Sequence, residues 1–312
     1  MATKAISSGA IWNDNWFWRD GAVELVNLVS NCTSDDRYPA TNLELRSRNK
    51  IWAMKYMKPN DSRVDVWIDA GSALQPTCAA IIDSNIFPLY KDAASADNSE
   101  DMAMVHLQGG TSTSNVSVTY LLYPYATSTG VMRYYLNLDT PTSGTAGAYR
   151  YWRFVFGEQY RDGYSLPNDR LEVGGLYVGT HQEFCLSSLE TAATLPSPQL
   201  MSFDGQRYVD NWDRRYGRQV QYSPISRDEA NTFANTIRSA GRDPFILDIY
   251  GDLCRTDGYD GAHVTNATDA SSAVLGRVKG GQLAMSSSSN AYGEVKFQFT
   301  EDGTRGKGRG PS

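Results

Sequence analysis

Residues 64–85 read VDVWIDAGSALQPTCAAIIDSN, and the rest of the chain is organised around this stretch. Its first six positions alternate between apolar residues and polar or aromatic ones, which is the two-residue period of a half-buried strand. Residues 70–72, Ala-Gly-Ser, are expected to end that strand, and Pro76 keeps the connection out of a ladder. Residues 78–82 form a second short apolar strand. The stretch holds no nucleophile, base or metal cage, so its role is architectural. The apolar face holds Val64, Val66 and Ile68, and the opposite face holds Asp65, Trp67 and Asp69.

The bulk composition is that of a globular protein rich in β-structure. The chain has 312 residues, so one large domain or two domains are both allowed, and we expect two. Its 19 Tyr, 7 Trp and 10 Phe favour pleated sheets and contact surfaces. No segment approaches the 18 apolar residues of a membrane span. The first residues lack the pattern of a signal peptide, so we expect no export.

Charge and cysteine spacing exclude two classes of site. A net charge of -6 argues against a general nucleic-acid binder, which needs a basic field. Four dispersed cysteines form no CxxC or Cys/His cluster, so a zinc site is not expected. Residues 303–312 carry three positive charges on a glycine-rich backbone. This basic tail is either a flexible solvated end or an arm that orders against an acidic neighbour during assembly.

Five short motifs follow one another between residues 38 and 179, and the first of them predicts an ordered turn because Pro39 fixes its own φ. The motifs are Tyr38-Pro39-Ala40 with Asn42-Leu43, Trp67-Ile68-Asp69 with Gly71, Ala80-Ile81-Ile82, Tyr151-Trp152-Arg153, and Glu172-Val173-Gly174 with Leu176-Tyr177-Val178-Gly179. In this order they resemble the discoidin, or galactose-binding-like, jelly-roll family over residues 20–180. The resemblance implies an eight-stranded antiparallel sandwich whose loops at one end bind sugars or lipid headgroups in many members.

The sequence departs from that family in two ways. It has long insertions at residues 89–101 and 157–170, and its loops offer no Arg, His and aromatic set of the kind that usually carries ligand. The resemblance therefore implies the fold more strongly than it implies sugar binding.

We expect the first domain to cover residues 1–189 and a linker to cover residues 190–201, where Pro196 and Pro198 prevent ladder pairing. The second domain, residues 202–302, is β-rich with one helix at residues 226–241. A capping box at Ser226 and Glu229 begins that helix. The order of strand, helix and strand over residues 217–252 resembles the sheet-plus-helix domain of bacteriophage distal tail and tail-tip proteins. The fold class is thus mainly β, an antiparallel jelly-roll sandwich followed by a smaller domain with a helix on a sheet.

Further strands are predicted wherever apolar or aromatic residues alternate with polar ones. The ranges are residues 23–29, 52–57, 115–125, 134–138, 149–156, 171–178, 203–212, 217–222, 245–250 and 294–299.

Near the start of the chain, Trp12, Trp16 and Trp18 fall on one face of an extended segment. Such an aromatic stripe suits either an interface with another sheet or subunit, which we favour, or a platform for a sugar ring. The sequence does not identify which residues would contact a glycan.

No pattern carries catalysis. The nucleophile elbow, HExxH, P-loop, GxGxxG and EF-hand motifs are all missing, so we predict no enzyme, no cofactor and no metal. Asp65 and Asp69 share a strand face but lie about 13 Å apart at about 3.3 Å per residue, too far for a glycosidase pair. Asp257, Asp260 and His263 form either a β-turn connection or a small metal loop.

The sequence therefore predicts a virion structural protein of a bacteriophage, a tail-tip or baseplate component made in the cytoplasm of the bacterial host. It would form homo-oligomers, bind other tail proteins and contribute to host attachment, without nucleic acid or membrane insertion. The alternative is a carbohydrate-binding adhesion protein that recognises a host surface glycan.

Overall fold

The computed structural model describes sixteen stretches of the chain, and all structural statements below refer to them. They are residues 8–13, 23–28, 33–44, 50–55, 64–85, 105–122, 131–135, 141–156, 170–185, 188–194, 199–201, 207–209, 215–240, 245–248, 273–287 and 292–301.

Within these stretches the protein is mainly β, which confirms the predicted fold class. One α-helix, α1 (Arg227–Ala240), and a short 3-10 helix (Ala40–Glu44) accompany the strands. The strands are β1 (Ser8–Asn13), β2 (Val23–Leu28), β3 (Thr33–Ser34), β4 (Trp52–Lys55), β5 (Val64–Leu74), β6 (Cys78–Ile82), β7 (Val105–Gly110), β8 (Val118–Leu122), β9 (Val131–Tyr135), β10 (Ser143–Gly144), β11 (Tyr149–Phe156), β12 (Arg170–Val173), β13 (Gly175–Cys185), β14 (Ser188–Thr194), β15 (Gln199–Met201), β16 (Arg207–Val209), β17 (Arg215–Ser226), β18 (Phe245–Asp248), β19 (Ala273–Ser287) and β20 (Tyr292–Glu301).

Two layers of antiparallel strands enclose the main core. One layer is a six-stranded sheet in the order β10-β8-β7-β11-β5-β2. The other contains a three-stranded sheet, β12-β4-β3, and the β13-β6-β9 end of a nine-stranded sheet. Buried side chains from both layers form one cluster, so the apolar faces of the two layers pack on each other. From the first layer it includes Val66, Leu107, Trp152 and Phe154, and from the second Trp52, Met54, Ile81, Leu171 and Val178.

Strand β5 differs from its predicted form in two respects. It continues through residues 70–72 to Leu74, so the predicted break there was wrong. Gly71 has a φ of 77° and its N–H donates to Asp69 Oδ1 at 2.6 Å, while the register against β11 shifts between Tyr149 and Tyr151. Such a bulge lets a strand bend without ending. Both faces of residues 64–70 are also buried, so the prediction of a half-buried strand was wrong as well.

Other boundaries also moved. The expectation that residues 190–201 cannot join a ladder was wrong, because β14 pairs with β17 and β15 pairs with β16. In the sequence, Pro196 and Pro198 fall between β14 and β15. Strand β19 was not predicted, because its segment is rich in serine and glycine. Its register against β20 shifts between Val278 and Leu283, and this irregularity accommodates Gly280 and Gly281. The single strand predicted at residues 171–178 is two strands, because the chain bends at Gly174 and its N–H donates to the Ile82 carbonyl at 2.8 Å.

The predicted helix is confirmed as α1, which contacts β17, β19 and β20 and buries Ala230 and Ala234. The side chains of the predicted capping box lie outside the described ones. Strand β1 pairs with β13 on one side and with β18 on the other, so strands of both predicted domains share the nine-stranded sheet. The division of the chain into two domains, with a separate basic tail, remains a prediction.

Candidate functional site

A cluster of charged and aromatic side chains lies on the three-stranded sheet, around a buried carboxylate. Asp35 follows β3, Lys55 ends β4 and Arg170 begins β12. The register places Lys55 between Thr33 on one neighbouring strand and Arg170 on the other. The Asp35 cluster is defined as Asp35, Arg37, Tyr38, Lys55, Arg170 and Glu172.

Backbone hydrogen bonds fix the turn that carries the first three of these residues. The Tyr38 N–H donates to the Asp35 carbonyl at 2.7 Å, and the Ala53 N–H donates to the Tyr38 carbonyl at 3.0 Å. The Asn42 side-chain amide then donates to the Ile51 carbonyl at 2.7 Å. These bonds attach the turn to β4 and confirm the ordered turn predicted from Tyr38 and Pro39.

Three cations converge on the Asp35 carboxylate, whose side chain is only 2% exposed. Arg37 donates through Nε to Oδ1 at 3.1 Å and through Nη2 to Oδ2 at 3.0 Å, a bidentate pair. Lys55 Nζ lies 4.0 Å from Oδ1, and Arg170 Nη1 lies 3.8 Å from Oδ2. The hydrogen bonds from Arg37 lower the pKa of Asp35 to about 2 and raise the pKa of Arg37. Asp35 is therefore ionised at neutral pH.

Tyr38 connects the two arginines of the cluster. The guanidinium carbon of Arg170 lies 4.3 Å from the centre of the Tyr38 ring, and that of Arg37 lies 5.7 Å from it. Both are within the range of a cation–π interaction. Arg170 Nε is also 3.5 Å from Glu172 Oε1.

Asn85 holds β12 in place from the side opposite β4. Its amide donates to the Arg170 carbonyl at 2.6 Å, and its oxygen accepts from the Glu172 N–H at 2.8 Å. The Asn85 side chain thus takes the place of a neighbouring strand and fixes the backbone of β12 at Arg170 and Glu172.

Exposure divides the cluster into a buried base and an open rim. The side chains of Arg37 and Lys55 are 69% and 42% exposed, whereas that of Arg170 is 18% exposed. The pair with Asp35 uses one N–H on each of two nitrogens of Arg37, so a planar guanidinium remains presented to solvent in a fixed orientation. The arrangement suits binding of a polar ligand rather than proton transfer.

A second arginine–tyrosine pair, Arg150 with Tyr151, also includes an aspartate, but it stabilises the bulge of β5. Arg150 forms a bidentate pair with Asp69 at 2.8 and 2.7 Å, and its guanidinium carbon lies 5.1 Å from the Tyr151 ring centre. Asp69 also accepts from Gly71, so this pair holds the bulge of β5. Asp65 instead pairs with Arg153. The two aspartates predicted to be too far apart for glycoside cleavage thus each have their own arginine.

The predicted interface and metal residues are largely beyond the described stretches. Trp12 lies in β1 opposite His181, whereas Trp16, Trp18, Asp257, Asp260 and His263 lie outside them. Their assigned roles stay predictions. Among the described residues, no group of three or more His, Cys, Asp or Glu could hold a metal ion. None of the helices in the described part of the chain is both long and apolar enough to cross a membrane.

Stability at acid pH should depend on Asp35. Its pKa is about 2 in the fold against 3.8 ordinarily, so its contribution is complete above about pH 4 and is lost as the pH falls through about 2. We expect Asp35→Asn to remove this part of the pH dependence, measured by urea unfolding across that window. Asp36→Asn, at the exposed neighbouring position, should retain it. An unchanged pH dependence in Asp35→Asn would contradict this assignment.

The sequence matches no protein-family profile and no curated protein. Among solved structures, the lectin domain of lectinolysin complexed with Lewis B antigen is 9% identical with a TM-score of 0.32, over 52% of this chain and 96% of that one. The C-terminal domain of a chitobiase from Bacteroides fragilis is 14% identical with a TM-score of 0.30, over 52% and 97%. Reduced XRCC1 bound to the DNA polymerase β catalytic domain gives 14% and 0.29, over 50% and 96%. TM-scores near 0.3 do not establish a shared fold, so the fold class is taken from the described strands alone.

Proposed function

We propose that this chain is a non-catalytic carbohydrate-binding protein and that the Asp35 cluster contacts the sugar. The observation that carries the proposal is the Tyr38 ring, placed against two guanidinium groups beside a half-exposed rim of hydrogen-bond donors. Binding sites for small polar ligands commonly combine apolar or aromatic surface with a few precisely placed polar groups. Tyr38 is partly exposed and lies in a turn with Asp35 and Arg37 beside it, an arrangement that supports the carbohydrate-binding alternative.

The cluster is held in position before any ligand arrives. Arg37 is fixed by Asp35, the turn is fixed by β4, and β12 is fixed by Asn85. Immobilising a long side chain on binding costs about 0.5–1.5 kcal/mol, and much of that cost is already met here by the folded structure.

The test is a glycan array of bacterial surface polysaccharides, followed by titration calorimetry on the glycans that bind. Arg37→Ala should weaken binding roughly tenfold or more, since a hydrogen bond to a charged group contributes about 1.5–3 kcal/mol, and Tyr38→Ala should weaken it as well. Arg150→Ala, in the second arginine–tyrosine pair, is the matched control and should bind normally. The glycan should be recovered intact. An array without signal, or equal losses in Arg37→Ala and Arg150→Ala, would contradict the proposal.

A second candidate is the bacteriophage tail-tip or baseplate protein, assembled into the virion tail after synthesis in the host cytoplasm. What favours it is the order of β17, α1 and β18, the strand, helix and strand of the predicted resemblance. If it holds, light scattering of the purified chain should give the mass of a ring or trimer, or a partner should be recovered with it from virions. A monodisperse monomer without a tail partner would contradict it. A glycan-binding module within a tail would satisfy both candidates.

A further inference from the structure

We infer that the group recognised by the Asp35 cluster is an oxyanion carried by the glycan, such as the carboxylate of a uronic acid or a phosphate ester. The inference rests on the proposed function and specifies its ligand class. It follows from the charges of the cluster, from the position of those charges and from the contrast with the second arginine–tyrosine pair.

The cluster has more cations than its carboxylates neutralise. Arg37, Lys55 and Arg170 face Asp35 and Glu172, three positive groups against two negative ones. Asp35 is buried and already accepts two hydrogen bonds from the Arg37 side chain. Asp36 follows Asp35 in the chain but is exposed and is not one of the six residues of the cluster. The excess charge of those six residues is therefore positive.

That positive excess lies on the open side of the cluster. Arg37 and Lys55 are the most exposed charged groups, whereas Asp35 lies beneath them. A guanidinium fork and an ammonium at one rim are the donors that proteins use for carboxylate and phosphate oxygens. A neutral sugar would also need acceptors at the rim. Asp35 is buried and cannot supply them, and the Glu172 carboxylate, 28% exposed, already lies 3.5 Å from Arg170 Nε.

The pair of Arg150 and Asp69 provides a contrast within the same protein. It has one cation for one carboxylate, and its arginine also lies over a tyrosine. An arginine over a tyrosine thus occurs at both places, but the additional cations belong to the Asp35 cluster. The net charge of -6 further means that the chain as a whole repels polyanions, so binding of one must come from a local site.

The experiment compares three probes of one length and linkage by calorimetry, at low and at high salt. They are an oligoglucuronate, its carboxyl-reduced neutral form, and a phosphorylated derivative of the neutral form. We expect the wild-type chain to bind at least one anionic probe about tenfold or more tightly than the neutral one. Added salt should weaken this binding. Arg37→Gln should remove the preference, and Arg150→Gln should keep it.

Because Arg37→Gln leaves Asp35 without its bidentate partner, Lys55→Gln is a second variant at an exposed position, and thermal unfolding verifies that both are folded. Loss of the anionic preference in folded Lys55→Gln supports the inference. Equal binding of neutral and anionic probes overturns it and leaves the proposed function intact. If the array shows binding to neutral glycans and to no anionic glycan, the inference is likewise overturned and the proposed function stands. A silent array overturns the inference and the proposed function together. Arg37-dependent binding to anionic lipid vesicles, with no anionic glycan bound, also overturns both.

Discussion

Replacing Asp65 with asparagine should lower the free energy of unfolding by about 3 kcal/mol or more, because breaking a buried ion pair leaves an uncompensated charge. The Asp65 side chain is 7% exposed and accepts from Arg153 Nη1 at 2.7 Å. Arg153 is itself 15% exposed, donates to Gln108 at 2.5 Å, and lies 4.9 Å from the Trp67 ring centre. Asparagine keeps the shape of aspartate, so the substitution isolates the loss of charge. Urea unfolding at neutral pH measures the effect.

Two further variants distinguish the buried pair from a general effect of charge. Asp36→Asn makes the same chemical change at an exposed position and should alter stability by less than about 0.5 kcal/mol. The double variant Asp65→Leu with Arg153→Met removes both charges together and should recover much of the loss, since apolar replacements of buried pairs are often neutral. A change below about 1 kcal/mol in Asp65→Asn would show that water still reaches the pair.

Asp65 also shows where sequence reasoning about the fold reached its limit. Period-two alternation located the start of β5 and all of β11, and a short apolar run located β6. The same alternation implied that the aspartate face is wet, yet Asp65, Trp67 and Asp69 are buried. Their arginine partners, Arg150 and Arg153, both lie on β11, far along the chain, and strand pairing alone brings that strand beside β5. Hydrophobic alternation shows which residues share a face of a strand. It does not show whether an oppositely charged side chain from a distant segment pairs with the charged residues on that face.

The candidate site was missed for a related reason. Arg37 and Tyr38 are adjacent in a turn, Lys55 ends a strand, and Arg170 is the last residue of a long insertion, so no spacing within one segment connects them. The register of β3, β4 and β12 brings them together. The usable signal was local: an aspartate and an arginine two residues apart, next to a Tyr-Pro turn, is a pattern that can fold into a bidentate pair.

Replacing Trp152 with alanine should destabilise the fold by about 3–5 kcal/mol, the usual cost of removing a large aromatic side chain from a core. Trp152 is fully buried, its Nε1–H donates to the Tyr149 carbonyl at 3.0 Å, and its ring packs edge-on against that of Tyr149 at 5.9 Å between centres. Urea unfolding of Trp152→Ala and of the milder Trp152→Phe measures the effect. A cost below about 2 kcal/mol for alanine would mean that the core collapses to fill the space.

Gly109 on β7 pairs with Trp152 on β11 and explains how so large a ring fits against the sheet. A Cβ at this position would lie 2.8 Å from Cη2 and Cζ3 of Trp152, so the glycine is the recess that receives the outer edge of the indole. Gly109→Ala should therefore destabilise the wild-type chain but cost less when Trp152 is phenylalanine, which lacks those two atoms. We expect a coupling of about 1 kcal/mol between the two substitutions in a double-mutant cycle, within the range for residues in contact. If the two effects simply add, Tyr149, whose ring also approaches that position at 3.0 Å, is the group that requires a glycine there.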